Sequence, residues 1–188
     1  VYSSKEIFSR QRCPACGRED LRQNVVIYRE RVFEDELLLF TTICDSCNYK
    51  RNDVMPVKPS SFAKAKKYIL VVELQEDLYS KVYRAPTASI HIPDLEISME
   101  PGFKAEMFIT NIERILLKFR EICEFMLGDE DDESIRALLL QKMQAIDGYL
   151  EGTQGFTFVL EDEDGYSFVL PAREESLTLE NLKSASPE

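Results

Sequence analysis

The sequence predicts a mainly β fold with helices set into it, on three observations. Two C-x-x-C pairs, at Cys13 and Cys16 and at Cys44 and Cys47, bracket a pair of β-rich runs near the N-terminal end. Short β-rich segments parted by turn residues recur from Tyr68 to Met99 and again from Phe156 to Leu170. Between those two groups, over about residues 110–150, apolar side chains recur every three or four positions in two consecutive stretches.

The cysteine pairs carry the sharpest chemistry. Cys13-Pro14-Ala15-Cys16 and Cys44-Asp45-Ser46-Cys47 have 27 residues between them. Two thiolates at C-x-x-C spacing grip one face of a metal ion, and a second pair returned by a hairpin completes a tetrahedron. Pro14 stiffens the first turn. Gly17 follows it, and Asn48 stands at the matching place in the second; both tolerate positive φ. Two disulfides, four unrelated thiols or a redox C-x-x-C are the alternatives, and the doubled motif favours zinc over all of them. Four protein sulfurs leave no open position, so the site is expected to be structural. Between the pairs, Val25 to Tyr28 and Leu37 to Ile43 read as strands around the polar turn Glu34-Asp35-Glu36. This is the order of a zinc ribbon, assigned to residues 1–59. So small a module has few apolar anchors, and metal binding would fold it.

Tyr49 to Val54, followed by Pro56 and Pro59, reads as a linker to the body, residues 60–188. The body opens with a short basic stretch, Ser60 to Lys67. Strands are then expected at Tyr68 to Leu74, Lys81 to Tyr83, Ala88 to Ile92 and Leu95 to Met99, with Pro93-Asp94 turning the chain between the last two. Thr110-Asn111-Ile112-Glu113 reads as a capping box with Thr110 as the cap. The helix it opens buries Ile112, Ile115, Leu116, Phe119, Ile122, Cys123 and Met126 on one face and ends near Gly128. Acidic residues 129–133 suit the start of a second helix, whose apolar face is Ile135, Leu138, Leu139, Met143, Ile146 and Leu150. Strands return at Phe156 to Leu160 and Tyr166 to Leu170 around Glu163-Asp164-Gly165. The tail after Pro171 is expected to fray, save for a short helix near Leu177 to Leu182.

Charge and composition exclude several functions. The chain has 188 residues and a net charge of −11. Residues 1–67 carry 13 Lys/Arg against 9 Asp/Glu, a net of +4; residues 68–188 carry 10 against 25, a net of −15. Four thiolates and one zinc ion would bring the N-terminal value to about +2. The acidic body repels nucleic acid and favours a basic protein partner. A nucleic-acid-binding ribbon stays the alternative, on Lys50, Arg51, Lys58, Lys64, Lys66 and Lys67 with Tyr49 and Phe62 for stacking. His91 is the one histidine, which excludes His-pair metal chemistry and argues against an enzyme. Alternating with Ile90 and Ile92, it belongs on a strand's outward face. Cys123, on the helix's apolar face, reads as a core thiol. No apolar run approaches the roughly 18 residues of a membrane span, and no charged-then-apolar leader opens the chain, so a cytoplasmic location is expected.

In order along the chain, these pieces resemble the ZPR-type zinc-finger proteins. The resemblance runs from Cys13 to about Leu170. It rests on the paired cysteine turns with Cys47 to Val54, on Asp77-Leu78, Ile92-Pro93-Asp94-Leu95 and Pro101-Gly102. It rests further on Ile109 to Glu113, and on Phe156-Thr157 followed by Asp162 and Gly165-Tyr166-Ser167. Asn48 replaces a glycine of the family's pattern, Tyr166 an asparagine, and Ser80 stands where a basic residue is common. The resemblance implies a zinc ribbon followed by a jelly-roll-like double-stranded β-helix with an inserted helical hairpin. Eukaryotic members carry this unit twice, and this chain has room for one, as in archaeal-type members. It further implies binding of translation elongation factor 1-alpha, here its archaeal counterpart, with assistance to its folding. No phosphate-cradling loop is present, so any nucleotide dependence would belong to that partner. The expected partner contacts are Tyr49, Arg51, Asn52 and Asp53 beside the last cysteine, and Asp162, Asp164 and Gly165 at the acidic turn.

Overall fold

A computed structural model describes residues 3–8, 11–28, 37–56, 65–102, 105 and 107–182. The turn expected at 34–36, Pro59, the 59/60 boundary and most of the basic stretch from Ser60 lie outside the described residues. The first sheet is an antiparallel meander of β1 (Ser3–Phe8), β2 (Leu21–Tyr28), β3 (Leu37–Cys44) and β4 (Lys50–Pro56), in that order. Apolar and β-branched residues crowd β2 and β3, which suits a half-buried pleated surface. β4 overturns the linker expected at 49–56. Its residues have little strand preference, but β3 offers a free edge, and Thr42 pairs with Arg51 and Phe40 with Asp53. Pro56 closes the strand at its last position, where a missing N–H costs least.

The body holds two further sheets. The five-stranded one runs β12 (Leu177–Asn181), β5 (Lys66–Val72), β10 (Phe156–Asp162), β7 (Ser89–Ile92), β8 (Ile97–Met99). The three-stranded one runs β11 (Phe168–Leu170), β6 (Lys81–Arg84), β9 (Phe108–Asn111). All pairings are antiparallel. Short 3-10 turns at Gln75–Tyr79, Pro93–Leu95 and Glu174–Ser176 carry the chain between strands. The core between these elements takes Leu70, Ile90, Phe158 and Leu160 from the larger sheet, Val82 and Phe168 from the smaller, and Ile112 and Leu116 from the first helix. Burial of one such side chain contributes about 1.5–3 kcal/mol. Tyr83 and Phe168, opposite one another across β6 and β11, stack with ring centroids 3.9 Å apart. His91 is part-exposed between buried Ile90 and Ile92, and its Nε2 meets Ser89 Oγ at 2.9 Å. β12 replaces the short helix expected near 177–182: Leu177 and Leu179 alternate, and the open edge of β5 takes them up.

The helical hairpin consists of α1 (Ile112–Asp129) and α2 (Glu133–Leu150). Asn111, not Thr110, caps α1; its Oδ1 accepts from Arg114 N at 2.9 Å. Thr110 belongs to β9, opposite Val82, because its β-branched side chain suits the strand that continues to the helix's first turn. Asp132 caps α2, its Oδ1 accepting from the amides of Ser134 and Ile135. The expected apolar faces are buried only where the helices meet the body. Ile112, Ile115, Leu116, Phe119 and Cys123 of α1 are buried, as are Leu139, Ile146 and Tyr149 of α2. Ile122 and Met126, and Ile135 and Leu138, are exposed together with Phe125 and Leu140. The apolar stripe outruns the core. Arg120 of α1 bridges to Asp147 of α2 at 2.6 Å and holds the pair together near its base.

Candidate metal centre

The two cysteine turns are built alike. In the first, Cys13 N donates to Arg18 O at 2.8 Å and Gly17 N to Cys13 O at 2.8 Å. In the second, Cys44 N donates to Tyr49 O at 2.8 Å and Asn48 N to Cys44 O at 2.9 Å. Gly17 at φ 74° and Asn48 at φ 57° take the left-handed conformation that closes each turn. Residues 45–49 thus repeat residues 14–18. The β2–β3 ladder pairs Leu21 with Cys44, which lays the turns side by side. Asp45 N donates to Asp20 O at 3.2 Å, and Ser46 Oγ to Asp20 Oδ2, tying one turn to the other.

The four sulfurs converge. Cys13 Sγ lies 3.6 Å from Cys47 Sγ, and Cys16 Sγ lies 3.7 Å from Cys44 Sγ. All four lie within 4.8 Å of one another. A disulfide would bring a pair to about 2.05 Å. A tetrahedron with metal–sulfur bonds of about 2.3 Å has edges of about 3.8 Å. The spacing fits zinc, and this is a zinc-type site. Cys13 and Cys44 are buried beside Leu21, with Tyr49 packed over them; Cys16 and Cys47 are exposed. Burial raises the Cys13 thiol, but the amides of Cys16 and Ala15 and the sulfurs of Cys47 and Cys44 bring it down to about 7. At Cys47 the Tyr49 amide lowers the thiol, but the partial loss of water around the sulfur and the sulfurs of Cys16, Cys13 and Cys44 push it up to about 12. Cys13 therefore ionises readily, whereas Cys47, among the other sulfurs, holds its proton. A divalent cation at the centre of the four sulfurs favours the loss of that proton.

The expected partner contacts fall into two sets. Arg51 and Asn52 are exposed on β4, and Arg51 Nε reaches Asp53 Oδ2 at 3.0 Å. Arg51 and Asp53 share one face of the strand and Asn52 takes the other. At the acidic turn, Asp164 is exposed, but Asp162 is fully buried. Asp162 Oδ2 accepts from Ser167 N at 2.6 Å, and Oδ1 accepts from Asp164 N at 3.0 Å and Thr87 Oγ1 at 3.2 Å. Asp162 is therefore the turn's internal brace and presents nothing to a partner. Gly165 is buried beside it at φ 71°.

The model of the ZPR1 jelly-roll domain matches residues 76–185, more than half of the chain. The chain belongs to the ZPR1 family. A ZPR1-like protein of Methanocaldococcus jannaschii is 30% identical over 161 residues, 84% of this chain and 78% of that protein. One of Pyrococcus horikoshii is 27% identical, covering 93% of this chain and 79% of its own length. The zinc finger chaperone zpr1 of Schizosaccharomyces pombe is 26% identical over 91% of this chain, which spans 38% of that longer protein. Over most of its length the chain thus matches archaeal ZPR1-like proteins along most of theirs.

Within the ZPR1 jelly roll, two buried acids hold distant segments together. Asp162 is one. The other is Asp77, which no local spacing marks as a site residue because its partner lies 96 residues away. Asp77 Oδ2 accepts from the amides of Glu73 at 3.0 Å and Leu74 at 2.9 Å. Arg173 Nε meets Asp77 Oδ1 at 2.8 Å and its Nη2 meets Oδ2 at 2.7 Å. The Arg173 fork holds the Asp77 carboxyl below its usual range against the opposing effect of burial, and the Leu74 and Glu73 amides add to this. Nearby, Ser80 is buried and its Oγ accepts from Ala172 N at 2.9 Å. A short hydroxyl suits that enclosed place. The family's motif residues are, at these positions, the clasps of the fold.

Proposed function

We propose that this chain is a zinc-dependent chaperone for the archaeal counterpart of translation elongation factor 1-alpha. The observation that carries the reading is the exposed apolar surface on the distal half of the helical hairpin. Phe125 is 76% exposed, and Ile122, Met126, Ile135, Leu138 and Leu140 are exposed with it. Apolar side chains gathered on one projection mark a surface that another protein covers. Membership of a family with a named zinc finger chaperone agrees, and so does the acidic body, which suits a client with basic surfaces. The client's identity rests on the family resemblance. Tyr49, Arg51, Asn52, Asp53 and Asp164 are the further contacts proposed.

The nucleic-acid reading is the weaker one. Arg51 is paired with Asp53, and Lys67 with Glu161 at 2.8 Å. Both readings are tested together. The purified chain should retain the elongation factor from an archaeal lysate supplied with GTP or GDP, and should raise the yield of that factor on refolding. Retention of tRNA with a steep salt dependence, and no effect on refolding, would give the role to nucleic acid instead.

A further inference from the structure

A cavity away from the cysteines, between β6, β9 and the first turns of α1, has a volume of about 660 Å³. That is within the range of small-molecule sites. Arg84 on β6 stands opposite Phe108 on β9, and its guanidinium lies 5.6 Å from the centre of the Phe108 ring. Arg84 is 2% exposed, yet among the described residues it makes one hydrogen bond, from Nη2 to Glu100 O at 3.3 Å. Its Nε–H has no partner, and it has no ion pair among the described residues. A guanidinium stays charged, and a buried charge with no carboxylate in direct contact is costly. Desolvation lowers its pKa, opposed by the charges of Asp162 and Glu100.

The rest of the wall defines what would relieve that cost. Arg114 and Lys118, one turn apart on α1, both line the cavity. Arg114 also reaches Glu121 at 3.0 Å, whereas Lys118 has no ion pair among the described residues. Glu100 is the one acid among the described lining residues, against three cations. This excess of positive charge sits within residues 68–188, whose net charge is −15, from 10 basic and 25 acidic residues. Met99, Phe108 and Ile115 make the remaining wall apolar.

We propose that this cavity binds a carboxylate carried on an apolar group. The carboxylate would accept from Arg84 Nε–H and face Arg114 and Lys118, and the apolar group would lie against Met99, Phe108 and Ile115. Two sources supply that chemistry: a free carboxylic acid, or the terminal carboxylate of a polypeptide ending in an apolar residue. A guanidinium–carboxylate contact in an enclosed, partly apolar site is among the stronger polar interactions.

The test uses the full zinc-loaded chain. Octanoate, N-acetyl-leucine, the two corresponding amides and inorganic phosphate are titrated while the arginine Nε–H signals are followed by NMR, with Arg84→Lys assigning the Arg84 signal. Both acids should bind saturably and move that signal, and the amides should bind at least about tenfold more weakly. Tighter binding of octanoate assigns a free acid; tighter binding of N-acetyl-leucine assigns a chain terminus. Lys118→Glu, an exposed change that leaves the core untouched, should weaken both acids several-fold. Amides that match the acids, phosphate that matches them without any apolar group, or no movement of the signal up to about 10 mM ligand would overturn the proposal.

Discussion

Asp77 and Arg173 meet across 96 residues of chain, the carboxylate fully buried and the guanidinium largely so. Removing one side of a buried, hydrogen-bonded ion pair leaves the other uncompensated and costs about 3–5 kcal/mol. Asp77→Asn should therefore lower the unfolding free energy by an amount of that order, read from urea denaturation. Arg173→Met should do the same, and the double variant should lose less than the sum of the two. The pH dependence has a definite sign. The folded Asp77 carboxyl is held below its unfolded value, so the pair's stabilisation is complete above the unfolded value of about 4. It is lost as pH falls through the depressed folded value. The Asp77→Asn protein should lack that part of the acid-induced loss. At the metal site, Cys44→Ser removes a buried ligand and should bring bound zinc from about one equivalent to near none by elemental analysis. Because the thiols must lose protons to bind, zinc should also be released as pH falls, an event followed with a chromophoric chelator.

The two helices of the hairpin are read best as one element with two roles along its length. Their basal halves complete the jelly-roll core, and their distal halves carry Phe125, Leu138 and Leu140 into solvent. Phe125→Glu and Leu138→Glu should therefore leave the melting temperature within a few degrees, since exposed changes usually alter stability by about 0.5 kcal/mol or less. Client retention should fall by at least about tenfold in the same variants. An unchanged affinity in both would remove the hairpin tip from the client interface. Existence and type of the helices were legible, because a 3.6-residue apolar period over 18 residues has few other meanings. Which stretch of that period is buried was not, because periodicity marks a face without saying how far the body extends beneath it. The same limit explains β4 and β12. Lys50 to Asp53 and Leu177 to Asn181 have weak or ambiguous local preferences, and each became a strand because a neighbouring strand offered an open edge. The cysteine site was legible because its logic is local, two turns of one design. The Asp77–Arg173 clasp and the Arg84 cavity were not, because each joins residues that no spacing rule connects.

At the scale of the whole chain, the sheets differ in what holds them. The two body sheets and the hairpin share a core of more than a dozen large buried apolar side chains, including Phe158, Phe168, Leu70 and Ile146. Around the cysteines, by contrast, the buried cluster among the described residues is Cys13, Leu21 and Cys44 with Tyr49 packed against it. Two of those four are metal ligands. Without the ion, thiols brought within 4.8 Å of one another have no net attraction to offset the order they require. The structural cross-link is thus the larger part of the stability there, whereas the body's stability comes from burial at about 25 cal/mol per Å². Chelation of zinc should therefore abolish protection from hydrogen exchange in β2, β3 and β4 and leave β5, β7 and β10 protected. A thermal scan of the chelated chain should keep a cooperative transition for the body. Loss of protection in β5 and β10 on chelation would show instead that the metal stabilises the whole molecule as one cooperative unit.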